Sequence, residues 1–167
     1  MSKEEFYSIM PILLYGIAVG DLVMHFKDYF HRKKPYWPHI VTGLLFLELA
    51  FFNFYMLFYH DLPKHENYFF FLKNLITPIL FLLTVAVYTP NNETDAKTYF
   101  HAHIRIVFCL FAAFILSHFV IEANSNIFSL ARLIGVILSL CFAFTEKLTF
   151  LWMMVGLRFI GFFLTNY

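Results

Sequence analysis

The chain has 167 residues, 60% of them hydrophobic and only 14% charged, with a formal net charge of +1. Soluble domains carry about a quarter charged residues, and one this short cannot bury so much apolar side chain. A soluble globular domain is therefore excluded, and the near-neutral balance supplies no bulk field that points to nucleic acid as a partner.

Apolar runs of about 18–22 residues recur along the sequence, the length a helix needs to cross a hydrocarbon core of ~30 Å at 1.5 Å per residue. The expected fold is therefore all-α, a polytopic transmembrane helical bundle forming a single domain over residues 1–167. The opening MSKEEFYSIM has neither the basic n-region nor the small-residue cleavage site of a signal peptide. The first run is accordingly expected to be retained, as a helix over 6–26 with Pro11 near its first turn. The basic connection KDYFHRKKPYWPH follows, and Pro38 opens a second span over 38–59. The polar HDLPKHENY leads to a third span over 69–88, where Pro78 predicts a kink near Thr77. The loop TPNNETDAKT precedes a fourth span over 103–121, and EANSN turns the chain again.

The last 41 residues, from Ile127, would reach ~60 Å as one helix, twice the hydrocarbon thickness. Glu146 and Lys147 divide them, which predicts spans over 127–145 and 148–164 joined by a tight turn at FTEK, although no Gly or Pro marks it. The alternative is five spans and a last helix lying in the interface. The stretch MMVGLRFIGFFL is apolar all round rather than amphipathic, which argues for six spans.

Lys and Arg placement sets the expected orientation. Alternating spans gather Lys27, Arg32, Lys33, Lys34, Lys97, Arg105 and Lys147 on one side, against Lys3, Lys64, Lys73, Arg132 and Arg158 on the other. The expectation is a multi-pass inner-membrane protein with both termini outside. Arg32, Lys33 and Lys34 read as a topology anchor touching anionic lipid, or as a dock for an acidic partner. Interfacial aromatics such as Tyr29, Tyr36, Trp37, Tyr88 and Tyr99 fall near the span ends.

Ionisable residues inside the spans are the candidate functional groups, because charge at that depth is costly and normally turned toward the bundle. Counting along the helices places Asp21 and Arg105 toward the cytoplasmic side, with Glu48 and Arg158 near the midplane. Arg132, His118 and Glu122 gather toward the outer side. Each level holds both signs, so Glu48 is expected to pair with Arg158, and Asn53 to hydrogen-bond across a helix interface. Such pairs serve either as glue fixing helix register or as a polar path for an ion or proton. Asp21 with His25, and His118 with Glu122, stand four apart, where a carboxylate can orient an imidazole. His25, His39, His101 and His103 share the cytoplasmic boundary as candidates for pH sensing. His101 and His103, two apart on a helix, point in different directions and cannot chelate one ion. A bis-histidine haem would have only His25 with His103 to use. Cys109 and Cys141 read as small core residues. No catalytic motif or cofactor site is legible, whether GxSxG, HExxH, a phosphate loop or CxxC.

The stretch GDLVMHFKDYFHRKKPYWPHIVTGLLFLELAFFNFYMLF resembles a group of small bacterial multi-spanning membrane proteins without an assigned function, and YFHAHIR fits the same pattern. The resemblance implies six spans and carries no activity. Glu48 and Asn53 depart from it, standing where plain aromatics and a glutamine-like residue are expected. The functional expectation is a non-enzymatic membrane protein that forms a homo-oligomer in the lipid bilayer. Its concrete form is a channel or transporter built on a polar path. The rival is an accessory subunit whose loops at 27–38 and 89–100 dock a partner, for instance in a bacterial signalling or defence system. An intramembrane enzyme or haem carrier is third.

Overall fold

The computed structural model describes residues 3–31, 35–59, 68–90, 95–121 and 127–165. They form six helices: α1 (Lys3–His31), α2 (Trp37–Tyr59), α3 (Tyr68–Tyr88), α4 (Ala96–Ile121), α5 (Ile127–Thr145) and α6 (Leu148–Thr165). No strand occurs among the described residues. Four of the helices are long and apolar enough to cross a membrane, and α5 and α6 are shorter apolar helices. The protein is an all-α helical bundle of the membrane class.

α3 packs most closely on α4, and α4 on α5. α1 lies against α3 and α2, and α6 lies against α5. α2 completes the ring by meeting α6 along a thin seam and touching α4 across the bundle. The end of α3, the starts of α2 and α4 and the α5–α6 turn lie together at one end of the bundle, here the near end. Phenylalanine rings fill the middle: Phe46 and Phe111 have centroids 5.1 Å apart, Phe81 and Phe114 5.1 Å, and Phe108 and Phe142 4.6 Å. All six are essentially buried. Tilted and edge-on rings at these distances gain quadrupole attraction beyond their area, which matters where lipid provides no hydrophobic drive between helices.

Two helix starts differ from the sequence expectation. α1 begins at Lys3, so Pro11 lies well inside the helix rather than in its first turn. The Pro11 ring is buried. α3 runs as one helix through Pro78. α4 starts at Ala96, seven residues before the expected 103, because Asp95 caps it: its carboxylate accepts from the Thr98 amide at 3.2 Å and from the Thr98 hydroxyl at 3.0 Å. The α5–α6 turn is the tight one expected at FTEK, made without glycine. Glu146 itself takes the left-handed conformation, with φ 55°, and its amide donates to the Phe142 carbonyl at 2.9 Å.

Candidate functional site

Glu48 and Arg158 meet at the α2–α6 seam. Arg158 Nε donates to Glu48 Oε2 at 2.6 Å and Nη2 donates to Oε1 at 2.7 Å, a bidentate fork. The guanidinium also lies over the Phe52 ring, 4.1 Å from its centroid. Arg158 comes ten residues after the start of α6 and Glu48 eleven after the start of α2, so the partners stand ~15 Å along parallel helices. The pair is not sealed: the Arg158 side chain is 20% exposed and that of Glu48 40%.

A second set of polar links crosses the bundle beyond the aromatic layer. Asn53 Nδ2 donates to the Leu49 carbonyl at 2.8 Å, leaving Oδ1 3.1 Å from His118 Nε2 on α4. His118 Nδ1 lies 3.1 Å from the Phe114 carbonyl. The Ser117 hydroxyl donates to Phe114 O, so the 2.7 Å contact between Thr77 and Ser117 has Thr77 as donor. Ser139 on α5 donates to the Phe108 carbonyl at 3.1 Å. These bonds fix register between helices whose apolar surfaces offer little else to specify it.

The near end carries a histidine–tyrosine layer that the sequence revealed only in part. The Tyr88 hydroxyl donates to the His39 carbonyl, and the His39 ring at Nε2 returns a 3.3 Å bond to the Tyr88 carbonyl at the end of α3. This reciprocal clasp satisfies a carbonyl that the helix cannot. Gly43 makes it fit, because a Cβ there would stand 2.6 Å from the Tyr88 hydroxyl and 2.9 Å from Phe26 Cζ. The Tyr99 hydroxyl covers the neighbouring Val87 carbonyl at 2.8 Å. His25 packs its ring on His39, with centroids 5.4 Å apart.

Beside this clasp, three residues form one line. Tyr36 Oη is 3.1 Å from His101 Nε2, and His101 Nδ1 is 3.2 Å from Glu146 Oε2. With Nδ1–H donating to the carboxylate and the phenol donating to Nε2, every proton in the line is placed. Burial pushes the Tyr36 phenol above its ordinary range, which keeps it a donor. Tyr36 and Glu146 were not legible as partners of His101, since they lie 65 and 45 residues away in sequence. The one available signal was that all three flank turns at the same end.

The remaining candidates are dispersed rather than joined into a path. Asp21, expected to orient His25, is exposed on the outer face of α1, while His25 is buried. Arg105 is exposed on α4, its guanidinium 5.8 Å from the centroid of the Phe144 ring. Neither Asp21 nor Arg105 has an ion-pair partner among the described residues. Asp21, Arg105 and the Glu48–Arg158 pair therefore stand on three sectors of the perimeter, and the bundle middle between them is aromatic. Arg132 is half-buried on α5. His103 bonds through Nδ1 to the Tyr99 carbonyl at 3.0 Å and stacks on the Tyr99 ring at 4.1 Å, apart from His101 and from His25. No cluster of three or more His, Cys, Asp or Glu side chains suited to a metal occurs among the described residues. Glu122, Arg32, Lys33 and Lys34 lie outside the described residues.

Comparison with known proteins matches the chain to no family model, no curated protein and no solved structure. The functional reading therefore rests on geometry alone.

Proposed function

We propose that this protein is a non-enzymatic, membrane-embedded assembly subunit that docks other transmembrane helices against charged positions on its perimeter. The observation that carries this reading is the exposure of Asp21 and Arg105, each inside an apolar span and each without an ion-pair partner among the described residues. Ionisable groups at such depth normally turn inward to a partner. Two that turn outward call for partners from another chain. The packed phenylalanine middle supports the same reading, because aromatic rings fill the centre of the bundle among the described residues.

A second reading, conduction between subunits of an oligomer, draws on the Glu48 side chain, 40% exposed halfway along α2. Both readings place the termini on the outer side, supported by the basic residues gathered at the near end. Purified protein reconstituted in liposomes separates the two. The assembly reading expects proton and potassium fluxes equal to those of empty vesicles, together with particles larger than one chain. A flux abolished by Glu48→Gln would replace it with the conduction reading.

A further inference from the structure

We infer that the partner for the exposed face of α1 is a second copy of this chain, docked head to tail so that Asp21 of one copy meets Arg105 of the next. The inference rests on the assembly reading and names the partner. Its basis is charge complementarity at matched depth. His25 on α1, His39 on α2 and Phe100 on α4 stand at one level, since their rings touch in series: His25 to His39 at 5.4 Å and His39 to Phe100 at 5.4 Å. Asp21 lies four residues further in along α1, about 6 Å. Arg105 lies five residues further in along α4, about 7.5 Å. Copies inserted in the same sense share the membrane frame, so the two charges fall opposite one another within the reach of their side chains.

The surfaces around them fit this contact. On α1, Gly16 and Gly20 flank exposed Ile17, and a Cβ at either glycine would meet nothing within 4 Å. Small residues four apart let a second helix approach closely in lipid. On the other face, Ala102 is the small residue beside Arg105, with Ile106 and Phe144 exposed around it. The Phe144 ring holds the guanidinium by its face and leaves the N–H edge for a carboxylate. α3 lies between α1 and α4 in the ring of helices, so the two faces point in different directions and cannot pair within one bundle. A symmetric α1–α1 contact through the glycines would instead set two Asp21 carboxylates against each other. The head-to-tail contact is heterologous, and it closes into a ring if its rotation permits.

Disulfide trapping in native membranes tests this. In a background lacking Cys109 and Cys141, copies carrying Met24→Cys are co-expressed with copies carrying Ala102→Cys, both exposed positions near the same level. The expected result is a mixed adduct that falls at least fivefold with either Asp21→Arg or Arg105→Asp. It returns when both reversals are placed in the same chain, which also shows that the reversed chains fold. A Met24 adduct formed between like copies, or a mixed adduct indifferent to both reversals, overturns the inference. An adduct of Met24→Cys only with a different membrane chain overturns it and leaves the assembly reading standing. No adduct of any kind, with one copy per particle, overturns both.

Discussion

Replacing Glu48 by Gln removes the carboxylate from a bidentate pair whose Arg158 side chain is 20% exposed about 15 Å along α6. The Phe52 ring and an amide oxygen still contact Arg158, but nothing neutralises it. An unpaired Arg near the bilayer centre costs about 2.5–3.5 kcal/mol on insertion scales. Partial exposure and snorkelling relieve some of this, so the expected loss is about 2 kcal/mol. Arg158→Gln should cost a similar amount by stranding Glu48. The double variant should recover most of either loss, because two uncharged side chains of like size leave no stranded charge. The assay is reversible unfolding in mixed detergent micelles, read as a double-mutant cycle with an expected coupling of at least about 1.5 kcal/mol. Additive losses would show that the two groups do not act as a pair. An unchanged α6 in amide exchange would further show that the pair does not hold α6 against α2.

Gly43→Ala should destabilise the bundle by about 2–3 kcal/mol, since the added methyl overlaps the buried Tyr88 hydroxyl and breaks its bond to His39. Tyr88→Phe in the same chain relieves only part of this, because Phe26 Cζ remains 2.9 Å away, and unfolding midpoints measure both. Glu146→Gly should stabilise the α5–α6 turn by up to about 1 kcal/mol by relieving the left-handed conformation, less the small part lost with the exposed Glu146–His101 bond. Glu146→Gln keeps that cost and should not stabilise. Asp95→Ala should cost about 1 kcal/mol and speed amide exchange at Thr98, leaving the far end of α4 protected. The raised Tyr36 phenol predicts a further loss of stability as pH rises above about 10, where the unfolded chain gives up the proton first. Tyr36→Phe removes that part of the pH dependence in the same titration.

Helix positions were legible because a lipid solvent fixes helix length, and runs of the right length can be counted. α2, α3, α5 and α6 begin and end within a residue or two of the expected limits. α4 was read short because DAKTYFHAHIR is polar, and polarity argued for a loop more strongly than the Asp95 cap argued for a helix. The turn at Glu146 was placed by its two charges, although its conformation is one usually left to glycine. Which way each charge faces was not legible. In water the polar stripe of a helix marks its outside, whereas here core and surroundings are both apolar and the helices are hydrophobic all round. Glu48 and Arg158 were matched by depth and do meet. Asp21 and Arg105 also share a depth, yet α3 stands between their helices and each faces outward. Depth counting carries no information about azimuth.

Counting copies by single-molecule photobleaching, in nanodiscs drawn directly from the membrane, tests the central claim most directly. The account predicts more than one copy per disc for the native chain, and a shift to single copies for Asp21→Asn. Single copies for both, with Asp21 left facing lipid, would contradict it.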